Sequence, residues 1–212
     1  MVILRGYYAI LDCPSGDQAG TPAAAARTVE RALRLLQARP CMLQIRAKGS
    51  GAGELAAVAR AVLPVARAAG VPLCVNDRLD VAVHLGQDDL PLGDARNVAR
   101  GRLRIGISTH NLEQARAAVA GGADYLGFGP IFATTTKDRP DPVVGIEALR
   151  QVTTQVASGV PVVAIGGITL GSIADVAAAG AAAAALISAV EGAADPAAAG
   201  RAVAAAFGVT AV

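Results

Sequence analysis

The chain is poor in the residues that mark several common functions. It has three cysteines, Cys13, Cys41 and Cys74, and none stands in a C-x-x-C pair. An odd number lying in or beside apolar runs argues against a disulfide framework and reads as reduced, buried thiols in a cytoplasmic protein; a catalytic cysteine is not indicated. Charge is sparse as well, at 17% of residues, and the net +2 comes from scattered Arg and Asp/Glu without a basic stripe. No nucleic-acid footprint follows from that, and the balance points to small-molecule work. The alanine-rich run from Ala177 to Ala189 is broken by Gly180 and by Leu186-Ile187-Ser188, below membrane-spanning length. Met1 to Leu11 lacks the cleavage pattern of an export signal, and Asp12 to Thr21 contains no G-x-G-x-x-G, which weighs against a dinucleotide-binding doubly wound sheet.

What the chain has in abundance is apolar material, 53% of its 212 residues. That suffices for one domain, 1–212, with a sizeable core. Short apolar runs at Tyr7 to Leu11, Cys41 to Ile45, Val71 to Val75, Val83 to Leu85, Leu103 to Ile107, Tyr125 to Phe128, Val160 to Ile165 and Ala182 to Ile187 read as strands. Helices are expected between them at Ala23 to Arg39, Glu54 to Ala69 (interrupted by Pro64), Leu90 to Arg100, Asn111 to Ala120, Ile146 to Val156 and Leu170 to Ala179, with a last one capped by Asp195 and running to about Phe207. Eight nearly continuous apolar strands alternating with helices predict a parallel sheet buried on both faces, closed as an α/β, (β/α)8 TIM barrel. One connection does not fit. The crossover between the third and fourth strands, about residues 78–82, is abnormally short, because parallel neighbours need a dozen or more residues between them.

Active sites of such barrels lie at the C-terminal ends of the strands, so polar residues just after each apolar run are the candidates. Gln44, Arg46 and Lys48 alternate along a strand end and share one face; two cations and an amide there suit a diphosphate and a ring. Lys137 brings a third cation after the Thr134-Thr135-Thr136 run. Asp77 and Asp89 (or Asp88) offer hard carboxylate oxygens of the kind that hold Mg²⁺ together with substrate phosphates, or they cap the elements that follow. Gly166-Gly167 and the turn at Ser188 fit a barrel phosphate pocket. The loop from Gly129 to Pro142 is of the kind that closes over a substrate. His110, after Ser108, is a candidate acid/base or a structural hydrogen-bond partner, and His84 is expected to pack inside the barrel.

In Gln44-Ile45-Arg46-Ala47-Lys48, Val75-Asn76-Asp77, Gly86-Gln87-Asp88-Asp89, Gly129 to Lys137 and Ala164-Ile165-Gly166-Gly167-Ile168, the chain closely resembles the thiamine-phosphate synthase (thiamine-phosphate pyrophosphorylase) family. The likeness runs from Gly6-Tyr7-Tyr8-Ala9-Ile10 to Leu186-Ile187-Ser188-Ala189, almost the whole chain. It implies a transferase that condenses hydroxymethylpyrimidine diphosphate with a thiazole phosphate, giving thiamine phosphate and pyrophosphate. The diphosphate would leave with Mg²⁺ assistance, and the thiazole nitrogen would attack the pyrimidine carbocation. Carried over residue by residue, Gln44, Ile45, Arg46, Ala47, Lys48, Asn76, Ser108 and Lys137 would hold the pyrimidine diphosphate. Arg46, Lys48, Ser108 and Lys137 would carry the chemistry, and Asp77 and Asp89 would bind magnesium. Thr134, Thr135, Thr136, Gly167, Ile187 and Ser188 would hold the thiazole phosphate.

The resemblance departs at the third crossover, where the family has a helix and about two turns of it are missing after Arg78-Leu79-Asp80-Val81-Ala82. That predicts either a single turn or extended link there, or abnormal pairing of Val83 to Leu85, with Asp89 shifted from Asp77. Two other functions stay open: a thiazole tautomerase-like isomerase using His110, and a ligand-binding homologue impaired in catalysis. Retention of Gln87-Asp88-Asp89 and Thr136-Lys137 favours the synthase. The expected partners are small-molecule substrates, with no nucleic acid and no membrane, and the sequence leaves room for a homo-oligomer.

Overall fold

A computed structural model describes residues 4–13, 21–78, 80–82, 89–91, 104–134, 141–156 and 159–210. Among the described residues eight strands run in chain order: β1 Gly6–Asp12, β2 Met42–Arg46, β3 Leu73–Val75, β4 Asp89–Pro91, β5 Arg104–Thr109, β6 Tyr125–Phe128, β7 Val162–Ile165 and β8 Ala183–Leu186. Every neighbouring pair is parallel, β8 returns to β1, and the sheet closes into a barrel. Around it lie α1 Pro22–Leu36, α2 Ala52–Ala68, α3 Leu112–Ala120, α4 Gly145–Gln155, α5 Ile173–Ala178, the four-residue α6 Ser188–Glu191 and α7 Pro196–Ala206.

The helix starts follow capping chemistry. Thr21, Asn111 and Asp195 accept from the backbone N–H three residues on, which satisfies a donor that no helical carbonyl can reach. Pro64 does not interrupt α2, contrary to the sequence expectation. A helical proline loses one N–H bond and frees one carbonyl; Pro64 is exposed, so water can solvate the strained turn.

The strands separate two apolar layers. Residues facing the helices, such as Leu11, Leu43, Ile45, Val75, Leu126 and Ala164, join helix side chains in the larger core. Residues facing inward, among them Tyr8, Ile10, Met42, Cys74, Tyr125, Val163, Ala183 and Ala185, fill the barrel interior. The interior sets large residues against small ones: Tyr8 lies in register with Ala185, and Tyr125 with Gly106. A Cβ on Gly106 would stand 2.1 Å from the Tyr125 ring, so the ring occupies the space that glycine leaves.

The fourth strand corrects the sequence reading. It is Asp89–Pro91, held to β3 by the pair Cys74↔Asp89 and to β5 by three pairs. Leu90, expected to open a helix, is therefore in a strand with Pro91. Val83 to Leu85, His84 among them, and residues 92–100 lie outside the described residues. Between β3 and β4 stand residues 76–88, thirteen in all, with 80–82 helical. The five-residue crossover thus does not arise between these strands, and thirteen residues meet the usual requirement of a parallel connection.

Candidate functional site

A cavity of about 660 Å³ opens at the C-terminal end of the strands. Its wall is assembled from strand ends that are distant in sequence, because a parallel barrel brings all those ends to one face.

β2 supplies Gln44 and Arg46, followed by Lys48, and all three line the cavity. Ile45 is completely buried among helix-facing side chains, and Ala47 packs against the same layer. Strand alternation separates the two sets, so Ile45 and Ala47 can offer this cavity backbone groups only. Arg46 is nearly buried, with 11% of its side chain exposed, and donates to the Asp12 carboxylate at 2.6 Å. Asp12 lies in register with Arg46 at the end of β1. A guanidinium has five N–H donors in a fixed fork, so this contact orients the fork and leaves donors for an anion. Sequence reasoning assigns Asp12 no role at the site.

Asn76 and Asp77 follow β3 and also line the cavity. Asp77 takes φ of 58°, the left-handed region that Asp tolerates better than most residues, and accepts from Asn76 Nδ2 at 2.6 Å. The turn sets its exposed carboxylate at the mouth. The backbone of Asp89 is opposite Cys74, three residues earlier on the β3 side, which corresponds to roughly 10 Å along a strand. Its side chain is outside the described residues. No group of three or more His, Cys, Asp or Glu that could hold a metal occurs among the described residues. The exposed carboxylate of Asp77 at the mouth could supply a hard oxygen ligand to a Mg²⁺ carried by substrate phosphates.

Ser108 and His110 enter from the end of β5. The His110 ring shares a hydrogen bond through Nδ1 with the Gly129 carbonyl, while Nε2 faces Asp141 at 3.9 Å. From the segments after β6, β7 and β8 come Thr134, Gly166, Gly167, Ile187 and Ser188. The Gly166-Gly167 turn meets the loop after β6 backbone to backbone: Ile131 N donates to Ile165 O and Phe132 N to Gly166 O. Gly167 has φ of 64°, and a Cβ there would stand 2.3 Å from the Ala133 carbonyl oxygen. Only glycine lets these segments approach so closely while keeping bare backbone on the cavity. Thr135, Thr136 and Lys137 lie outside the described residues.

The floor is formed in part by Tyr8 and Tyr125, which the sequence reading had as strand residues only. The thiols are poor nucleophile candidates: burial pushes Cys13 up to about 11 and Cys41 up to about 12. Cys13 and Cys74 are buried as expected, whereas Cys41 is half-buried, and none of the three is in a disulfide among the described residues. No helix among the described residues is long and apolar enough to cross a membrane.

A closed parallel barrel whose mouth gathers cations, an amide and a carboxylate over an aromatic floor defines an α/β-barrel enzyme. The chain matches the family described as thiamine monophosphate synthase over residues 16–190. It is 48% identical over 172 residues to the thiamine-phosphate synthase of Anaeromyxobacter dehalogenans, covering 78% of this chain and 76% of that protein. Against the thiamine-phosphate synthase of Chloroflexus aurantiacus it is 45% identical over 176 residues, 80% of each. The solved thiamine phosphate pyrophosphorylase from Pyrococcus furiosus superposes with a TM-score of 0.80 at 31% identity, covering 98% of this chain and 96% of that one. The chain belongs to the thiamine monophosphate synthase family.

Proposed function

We propose that this chain condenses hydroxymethylpyrimidine diphosphate with a thiazole phosphate, releasing thiamine phosphate and pyrophosphate. Family membership sets the reaction. The observation that carries it to this cavity is the origin of its wall: Gln44, Arg46 and Lys48 come from the end of β2, and Thr134, Gly167 and Ser188 from the segments after β6, β7 and β8. Two anionic groups can thus be held with one heterocycle each between them. The scaffold proposed is a complete (β/α)8 barrel, a single domain over 1–212, acting in the cytoplasm.

In this reading Gln44 meets the pyrimidine ring, and Arg46, Lys48 and Lys137 take the diphosphate, with Asn76 and Ser108 beside it. The C–O bond to the diphosphate breaks first, and these cations stabilise the departing charge where it develops. A bound Mg²⁺ supplies further neutralisation of that charge. Asp77 and Asp89 would be the carboxylates that hold it. Tyr8 and Tyr125 close the floor and help exclude water from the carbocation. Thr134, Thr135, Thr136, Gly167, Ile187 and Ser188 hold the thiazole phosphate so that its ring nitrogen faces the carbocation. The nitrogen's electron pair then forms the new C–N bond.

A second reading, proton transfer on a thiazole by His110, draws support from the place of that ring on the cavity wall between Gly129 and Asp141. The two separate in an assay that follows pyrophosphate and thiamine phosphate from both substrates with Mg²⁺. Lys137→Ala and Asp77→Ala should each abolish product if the chain is a synthase. Product absent from the folded wild type, or loss confined to His110→Ala, would sink the synthase reading.

A further inference from the structure

Beneath the mouth, four polar side chains meet inside the barrel; the chemistry above uses Gln44 to meet the ring and Tyr8 and Tyr125 only as the floor, and it leaves their polar contacts and Cys74 without a role. Gln44 from β2 donates through Nε2 to the Cys74 sulfur on β3 at 3.6 Å. That sulfur stands 3.7 Å from the Tyr125 hydroxyl on β6, which in turn is 3.4 Å from the Tyr8 hydroxyl on β1. The two rings lean together with centroids 6.4 Å apart. All four residues are buried, Cys74 completely. Gln44, Tyr8 and Tyr125 face the cavity, whereas Cys74 touches Gln44 from behind and does not line it.

The arrangement matters because a buried amide has two unlike ends. One presents two donors and the other an acceptor, and a half-turn of the terminal torsion exchanges them. What faces a ligand is therefore decided by what holds the other end. Among the described residues the hydrogen-bond partner of the Gln44 side chain is Cys74, and Cys74 is in turn tied to Tyr125. Tyr125 itself is held in place, since its ring fills the space above Gly106, where a Cβ would stand 2.1 Å away. The chain of contacts runs from a fixed ring through a thiol to the amide.

We propose that Cys74 and Tyr125 are positioning residues that set the orientation of the Gln44 carboxamide, and through it select an N-heteroaromatic ring whose edge matches that amide. The inference rests on the proposed function, since it takes Gln44 to meet the pyrimidine ring. Neither Cys74 nor Tyr125 need touch the diphosphate or the thiazole.

The test compares Cys74→Val, which keeps the volume and removes the sulfur, with Tyr125→Phe, which keeps the ring and removes the hydroxyl. KM for each substrate, kcat and Tm are measured for both variants, with Cys74→Ser as the conservative control. Losing one net hydrogen bond corresponds to roughly three- to ten-fold in affinity. The expected result is a rise of that size in KM for the pyrimidine diphosphate, with KM for the thiazole phosphate and Tm little changed. Cys74→Ser, which keeps a donor and acceptor, should recover most of the loss. Unchanged KM values in an active wild-type background would overturn the inference and leave the proposed function standing. So would a parallel rise in both KM values with a fallen Tm, the mark of a packing role. A folded wild type that does not turn over the two substrates would instead remove the reading on which the inference rests, and the inference with it.

Discussion

Gly106→Ala is the sharpest packing test of the barrel interior. The added methyl carbon would stand 2.1 Å from Tyr125 Cζ, 2.3 Å from Cε2 and 2.6 Å from the hydroxyl oxygen. Ordinary contact begins near 3.4 Å, so the ring has to recede by about 1.3 Å. It has little space to do so, being 3% exposed and in contact with Cys74 and Tyr8. Overpacking of this kind costs about 1–3 kcal/mol. In a chain of 212 residues, each kcal/mol lowers Tm by roughly 2–4 °C, so a fall of about 2–12 °C is expected by calorimetry. A second substitution that shortens the ring, Tyr125→Leu, should restore part of the loss in the double variant, because residues in contact couple non-additively. A Tm for Gly106→Ala within a degree of wild type, or strictly additive losses in the double variant, would refute the placement of Tyr125 over Gly106.

The two faces of β2 should respond differently to truncation. Ile45→Ala removes a fully buried side chain and should destabilise by about 2–5 kcal/mol in denaturant melts, while kcat per folded molecule holds. Arg46→Ala should instead lower kcat by roughly 10²–10³-fold in the product assay, with a smaller effect on stability. For the metal, titration of activity against Mg²⁺ should show a raised requirement in Asp77→Asn, whose carboxylate stands exposed at the cavity mouth. Alkaline pH should destabilise the fold. Burial raises the folded-state values of Cys13 to about 11 and Cys41 to about 12 from 9.0, so the stability they contribute is complete below pH 9 and is lost as pH rises through the folded values. Urea midpoints should fall steadily above pH 9, and a constant midpoint to pH 11 would contradict that burial.

Most of the barrel was legible because strands buried on both faces are continuous apolar runs, and because caps such as Asn111 and Asp195 announce helix starts. The failures have local causes. Val83-His84-Leu85 is as apolar as a strand, yet the described strand is Asp89–Pro91; a three-residue strand carries too little pattern to choose its register. α5 begins at Ile173 rather than Leu170 because Thr169 and Ser172 hydrogen-bond reciprocally, each backbone N–H to the other's hydroxyl, and hold the chain in a turn. At the site, the shared face of Gln44, Arg46 and Lys48 was readable from period two alone, whereas Ile45 and Ala47 were carried over from the family resemblance even though the same period points their side chains the other way. The Asp12 contact to Arg46 and the Tyr8, Cys74 and Tyr125 group were not, since they depend on which strands become neighbours and in what register.

The central claim is that one cavity holds both phosphorylated substrates and joins them. A ³¹P NMR time course with the wild-type chain, Mg²⁺, the pyrimidine diphosphate and the thiazole phosphate measures this directly. Pyrophosphate and thiamine phosphate should grow in equal amounts as both substrates decline, and pyrophosphate should not accumulate when the thiazole phosphate is left out. Pyrophosphate released at the same rate without the thiazole phosphate, or substrate resonances that stay constant, would contradict it.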